Sequence, residues 1–389
     1  MLTAPAAPPM IRSDTSNAFA HDTMRVRVPA IVRDVAARNP DYPPLIADGL
    51  ARLADALEAD APIPMLERPA PDYAGWASLY AAHCPATWQG AAWFFAEFYV
   101  YRLLIQITRW WETGRDPFGP HKAEEYASGQ PWALLERALA CPDAPPEERL
   151  LRALTFALWA NRIDLSLASV AALGGESSND TDLLADQRAA AVEHLLAAAG
   201  PVHIVTDNAG SELTLDLALV GALLALTDAP ITLHTKLHPV FVSDATPADA
   251  QMLIGWLAEG RAGPAGAALG GQLQGAFAAG RLRLAPDLFW NSAHPLWKLP
   301  DYLVETFRGA RLVILKGDAN YRRALGDALW PAALPFSEAL GYFPAPLLAL
   351  RTLKSDPIVG LAEGQAERLD AVDANWRVNG RRGVAQFKP

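Results

Sequence analysis

The sequence predicts an α/β protein: a mostly parallel sheet covered by helices on both faces, preceded by a largely helical region. Three observations carry that expectation. The composition changes character near Gly200, with apolar residues at helical spacing before it and short apolar runs alternating with helical stretches after it. Those later runs are rich in β-branched and aliphatic residues and have strand length. Four segments that follow apolar stretches end in charge: Asp207-Asn208-Ala209-Gly210, Val240-Phe241-Val242-Ser243-Asp244, Lys316-Gly317-Asp318 and Arg351-Thr352-Leu353-Lys354. Ligands of open α/β sheets gather outside the carboxyl ends of the strands, so these four edges are the candidate site.

Taken in order, the Ala- and Pro-rich start reads as a flexible tail over residues 1–25. Helical periodicity then recurs over 45–57, 88–111, 132–140, 148–160 and 183–199, with Pro-rich joints such as Ala61-Pro62-Ile63-Pro64. Residues 26–199 are therefore expected as a helical region packed on the active site, and 200–389 as the α/β metal-binding catalytic domain. Within the latter, strands are expected at 202–206, 231–234 with an extension toward His238, 282–284, 312–315 and 347–350. The run 91–107 is interrupted by Glu97 and Arg102 and is too short for a membrane span, so it reads as a buried helix.

Composition excludes several classes of function. With 389 residues, 51% of them hydrophobic, the chain has ample core for a globular fold of about two or three domains. A net charge of −10, a pI near 5.3 and the lack of any basic block argue against a nucleic-acid partner. Cys84 and Cys141 have no CxxC companion, which removes a cysteine zinc site and a disulfide framework and points to the reducing cytoplasm. The start lacks the basic and apolar regions of a signal peptide. No GxxxxGK[ST], strand-borne GxGxxG or GxSxG occurs, so a Walker-type site, a dinucleotide fold and a serine hydrolase elbow lose their usual anchors.

Asp207, Asn208 and Asp244 form a set of hard oxygen donors that suits Mg²⁺ or Mn²⁺. The competing reading is that Asp207 and Asn208 cap the next helix, and that Ser243 or Asp244 caps the helix entered at Thr246-Pro247. Glu212 is either a partner of the metal ligands or a favourable charge in a first helical turn. In Lys316-Gly317-Asp318-Ala319-Asn320-Tyr321-Arg322-Arg323, a glycine at a strand end lets backbone approach an anion, and Asn320 and Arg322 lie near a helix N-terminus. In Arg351-Thr352-Leu353-Lys354-Ser355-Asp356, Lys354 is a candidate point charge for a phosphoryl oxygen. His203, His234, His238 and His294 lack metal-like spacing and read as structural. Glu97, an acid among aromatics, requires a partner, either a pocket cation or Arg102.

These blocks, together with Trp93-Phe94-Phe95-Ala96-Glu97-Phe98-Tyr99-Val100-Tyr101-Arg102, Asp116-Pro117-Phe118 and Leu158-Trp159-Ala160-Asn161-Arg162-Ile163-Asp164-Leu165-Ser166, resemble in order the metal-dependent damage-control phosphatase family. The Arg-Thr-x-Lys segment from Arg351 to Lys354 resembles that of its acidic-residue-methyltransferase-like subfamily. The resemblance implies an α/β/α sandwich with a helical N-terminal part and one divalent cation (Mn²⁺ or Ni²⁺, with Mg²⁺ or Co²⁺ as alternatives) on Asp207, Asn208 and Asp244. It also implies substrate contacts at Asp318, Asn320, Arg322 and Lys354, extending to Asn161 and Glu97. The implied activity is hydrolysis of small phosphorylated metabolites, typically sugar phosphates such as fructose phosphates. Asp318 is then expected to orient or deprotonate the attacking water, with direct attack by an aspartate as the other route. Ser211, where many relatives carry an aromatic residue, and Ala160, where glycine is common, depart from the pattern and bear on pocket shape. Two rival functions are a carboxyl methyltransferase using S-adenosylmethionine and a non-catalytic sugar-phosphate sensor.

Overall fold

The computed structural model describes residues 2–67, 69–160 and 182–389. Its centre is a seven-stranded sheet made of β1 (Leu183–Asp186), β2 (Val202–Val205), β3 (Ile231–Lys236), β4 (Leu282–Asp287), β5 (Leu312–Lys316), β6 (Leu347–Thr352) and β7 (Gly383–Lys388). The strand order is β1-β7-β6-β5-β2-β3-β4, and every neighbouring pair is parallel except β6 and β7.

The two-residue period of the strands divides their apolar side chains between two cores. Val202, Ile204, Ile231, Leu233, Leu312 and Ile314 face one core with the helices Pro146–Trp159, Gly210–Leu226 and Pro247–Ala258. Val205, Val313, Leu315, Leu347 and Ala349 face the other, with the helices Asp301–Phe307 and Gly317–Leu325. Helices on both faces of the sheet make the expected α/β/α sandwich. The helix Gly210–Leu226 is apolar around most of its circumference, as a helix enclosed between a sheet and further helices must be. A third core belongs to the N-terminal helices and surrounds Trp93–Ile107, whose residues from Trp93 to Ile105 are all buried. Among the described residues no helix is long and apolar enough to cross a membrane.

Several expected boundaries are corrected. The segment 183–199 is not one helix: its first turn is strand β1, and only Arg188–Ala197 is helical. Leu183-Leu184 looks equally good in either state, and the partner that decides it is β7, about 200 residues later in the chain. The sheet therefore begins before residue 200, and its antiparallel member β7 was not anticipated. Much of the expected tail is built into the fold. Ile11 is buried, its N–H donates to Asp327 O (2.8 Å), and its carbonyl accepts from Trp93 N (2.9 Å). Val240 to Asp244 is not a strand end, because β3 stops at Lys236 and Asp244 lies in the loop that follows.

The strand order creates the site. From β2 the chain moves to β3 and β4 on one side, whereas β5 and β6 lie on the other, so the order reverses between β2 and β5. A crevice opens at such a reversal, beyond the strand ends. Val205 pairs with Leu315 in parallel register, which brings Asp207 abreast of Gly317.

Candidate active site

Asp207-Asn208-Ala209 leaves β2 extended and pairs with Ser243-Asp244-Ala245. Ala209 N donates to Ser243 O (2.6 Å), Ala245 N donates to Asp207 O (2.7 Å), and Asn208 and Asp244 form a β-bridge. This pairing brings together three candidate ligands that are 37 residues apart at their extremes. It also disposes of the capping alternative. The helix Gly210–Leu226 has Ala209 at its N-cap with no side-chain cap, and the helix Pro247–Ala258 is capped by Thr246 in a reciprocal box with Asp249.

The donor set consists of two carboxylates and one carboxamide. Among the described residues, no group of three or more His, Cys, Asp and Glu side chains is arranged to hold a metal ion. The electrostatics nevertheless suit a hard cation. Burial, followed by the charges of Glu212 and Asp244, pushes Asp207 well above the usual carboxylate range. Burial also raises Asp244, although Lys236 Nζ lies 2.9 Å from its Oδ2. Asn208 is held on both sides: its Nδ2 donates to Glu212 Oε1 (2.6 Å) and Asp207 Oδ2 (3.1 Å), and its Oδ1 accepts from Ser243 Oγ (2.6 Å). That amide orientation leaves a carbonyl lone pair for a cation. Hydrogen-bonded orientation of this kind is what metal ligands require.

Gly317 makes the close approach possible. Its φ is +82°, and a Cβ at this position would lie 1.9 Å from Asp207 Oδ2. Beside it, Asp318 accepts from Arg351 Nε (2.7 Å) and from Lys354 N (3.0 Å). Burial alone would raise Asp318, but the Arg351 and Arg322 guanidiniums outweigh it and hold the carboxyl below its usual range. Asp318 therefore enters the site as a carboxylate. Arg351 turns inward, stacking over Tyr321 at 4.3 Å and donating to Ser355 O (2.8 Å) and Pro357 O, so it builds the loop that presents Lys354. Among the described residues Lys354 has no ion-pair partner, and it lines the cleft with Asp207.

The cleft has a volume of about 170 Å³ and lies between the strand ends and the N-terminal helices. Of the residues singled out in the sequence, it brings together Glu97, Asp207, Asn208, Asp244, Asp318, Arg322 and Lys354. Asn320 is a correction: it is buried away from the cleft lining, and its Nδ2 donates to Thr206 O (3.0 Å) and Lys316 O (2.8 Å), which ties β2 to β5. Asn161 and the rest of its block to Ser166 lie outside the described residues. Glu97 finds Arg322 (2.7 Å), whereas Arg102 is committed to Asp72 (2.6 Å). Arg322 in turn pairs with Asp327 (2.7 Å) and lies 3.6 Å over Trp93, so it forms a wall of the site with few donors to spare.

Sequence reasoning missed the groups that hold these residues in place. Lys316 turns away from the cleft to Asp216 (2.9 Å) and toward Glu212 (3.9 Å), and those acids outweigh burial and keep it charged. Lys122 donates to Asp244 O (3.0 Å) and Asp249 (2.8 Å), fixing the loop that bears Asp244. Arg27, Phe19, Val28 and Ile31 line the cleft from the segment expected as a tail and the helix after it. Glu97 and Asn161 were the sequence's pointers to the N-terminal helices at the site; of the two, Glu97 lies among the described residues and lines the cleft.

Comparison with known proteins agrees with this architecture. The model of the damage-control phosphatase ARMT1-like domain matches residues 23–369. The damage-control phosphatase ARMT1 of Danio rerio is 29% identical, with 98% of this chain and 97% of the relative covered. That of Mus musculus is 30% identical, covering 87% and 85%. The crystal structure of a DUF89 family protein from Pyrococcus horikoshii superimposes with a TM-score of 0.52 over 96% of this chain and 99% of its own, at 16% identity, and so shares the fold. With a family match across residues 23–369 and relatives aligned over 85% or more of their length, this protein belongs to the damage-control phosphatase ARMT1-like family.

Proposed function

We propose that this protein is a metal-dependent phosphomonoester hydrolase of the cytoplasm that acts on small sugar phosphates such as fructose phosphates. The observation that carries the reading is the convergence of Asp207, Asn208 and Asp244 with Lys354 in one cleft at the sheet's reversal point. Membership of a family that is metal-dependent in general supports it.

In this reading Asp207, Asn208 and Asp244 hold one divalent cation, with Mn²⁺ or Ni²⁺ preferred and Mg²⁺ or Co²⁺ as alternatives. The cation supplies Lewis-acid neutralisation of the phosphoryl oxygens. Lys354, whose ammonium forms no ion pair among the described residues, binds a second phosphoryl oxygen as a point charge. Asp318 has one oxygen engaged by Arg351 and the Lys354 amide, and its other oxygen accepts a hydrogen bond from the attacking water. Because Asp318 is held below the usual range, it is a weak base, and its role is to orient the water in line with the leaving alkoxide. The Arg322–Trp93 wall excludes solvent from one side.

The test is phosphate release from a panel of sugar phosphates and p-nitrophenyl phosphate by metal-stripped protein, before and after addition of each cation. Metal-restored release that favours sugar phosphates is the expected result. Methyl transfer from S-adenosylmethionine to a carboxylate, with no phosphate release under any cation, would overturn it.

A further inference from the structure

The helix that begins at Ala18 does not run straight to Arg38. Thr23–Arg27 is a π turn set between the α-helical segments Ala18–Asp22 and Val28–Arg38, and Val28 N reaches back to Thr23 O. A π turn absorbs one extra residue and so rotates everything after it by roughly 100° relative to an uninterrupted α-helix. Phe19 and Arg27, eight residues apart, would otherwise lie roughly 80° apart around the axis; the extra residue brings them to about 20°. Both line the cleft, on the wall across from the strand ends. The turn thus aims an arginine into the cleft that a regular helix would carry past it.

Of the four acids that line the cleft, three already have their own cation, and the fourth, Asp207, is a proposed metal ligand. Glu97 is paired with Arg322 at 2.7 Å, Asp318 with Arg351 at 2.7 Å, and Asp244 with Lys236 at 2.9 Å. Among the described residues, two lining cations form no salt bridge or side-chain hydrogen bond: Lys354 from the sheet side and Arg27 from the helical side. Arg27 lies near enough to Glu97 and Tyr101 for its charge to act on both, yet it forms no ion pair with the Glu97 carboxylate. If Lys354 serves the phosphoryl group, Arg27 is a second anion receptor on the facing wall.

We propose that Arg27 determines specificity by binding a second anionic group, a carboxylate or a further phosphate, at the end of the substrate remote from the scissile phosphate. Among the sugar phosphates of the proposed function, the preferred substrates are then those that also carry a carboxylate or a second phosphate, over those with a neutral far end. This rests on the phosphatase reading for the identity of the first anion, but it is tested by binding alone.

The probes are phosphonopropionate and its neutral carboxamide, neither of which can be hydrolysed. Their affinities are measured by calorimetry for the full chain and for Arg27→Gln, with Mn²⁺ present. The native chain is expected to favour the acid over the amide by roughly tenfold or more, as suits a charge-assisted pair. In Arg27→Gln that ratio is expected to fall to within about twofold of unity. A native chain with no preference, or a variant that keeps the full ratio, overturns the proposal. So does a variant that weakens both probes equally, since Arg27 would then be holding the phosphonate itself. Arg27→Lys, which retains a charge without the planar fork, is expected to keep part of the ratio. Phosphate release from a panel of sugar phosphates by the same preparation is scored separately, so its absence under every cation refutes the hydrolytic reading and leaves the binding ratio to judge Arg27.

Discussion

Replacing Gly317 by alanine adds one methyl group at the point where the account places the most precise geometry. The new Cβ would sit 1.9 Å from Asp207 Oδ2, and ordinary contact begins near 3.4 Å, so the carboxylate has to withdraw by about 1.5 Å. A misplacement of about 1 Å in a reacting group costs on the order of 100-fold in rate. The expected loss in kcat/KM is therefore at least about 100-fold, or roughly 2.7 kcal/mol of transition-state stabilisation. The substitution also strains the backbone at φ +82° by about 1–2 kcal/mol. A chain of 389 residues unfolds with an entropy of roughly 0.8 kcal/mol/K, so strain alone lowers Tm by only about 1–3 °C. Gly309 provides the control: its φ is +78°, and a Cβ there meets nothing within 4 Å. Gly309→Ala should show the same small drop in Tm with activity intact. Turnover and thermal melts on both variants check this. Full activity in Gly317→Ala, or equal losses in the two variants, would refute the reasoning.

Three further outcomes are expected. Glu212→Ala removes the acceptor that fixes the Asn208 amide at 2.6 Å and should weaken cation binding roughly 10- to 100-fold in a calorimetric titration. Lys354→Ala should cut kcat about 100- to 1000-fold while leaving the denaturation midpoint unchanged, because its ammonium has no ion pair to lose among the described residues. Arg322→Met strips the counter-charge from two buried acids, Glu97 and Asp327, and should cost about 3–5 kcal/mol in denaturant titrations near neutral pH. Burial already raises both acids, and the loss of Arg322 raises them further. The unfolded chain therefore gives up these protons first, so the penalty grows as pH rises above the ordinary carboxylate range and should shrink in acid. A penalty independent of pH would show that lost packing on Trp93, rather than unpaired charge, dominates.

The parts of this protein that were legible in the sequence are those fixed by local pattern. The hydrophobic runs of β2, β3, β5 and β6 are bounded by charge, and each was found at its start, with its end within two residues. β1 and β7 were missed because a four-residue apolar segment and a C-terminal run of mixed polarity become strands only by pairing with each other and with β6. The ligand candidates Asp207 and Asn208 were readable from their place at a strand end, but Asp244 was found for a mistaken local reason, since it reaches the site through a bridge to Asn208 rather than from a strand. Asn320 shows the limit of reading polarity as function, since its amide ties two strands together, whereas Arg322 lines the cleft and its guanidinium also neutralises two buried acids. Arg27 was missed because residues 1–25 were expected as a tail and no helix was read before residue 45, whereas helical structure runs from Ala18 to Arg38 with a π turn at Thr23–Arg27.

The most direct test of the central claim is a titration of metal-stripped protein with Mn²⁺, following phosphate release from a sugar phosphate in the native chain and in Asp207→Ala, with folding of both verified by circular dichroism. The account predicts saturable restoration of activity in the native chain and none in the folded variant. Equal restoration in both, or full turnover by the native chain before any metal is added, would contradict it.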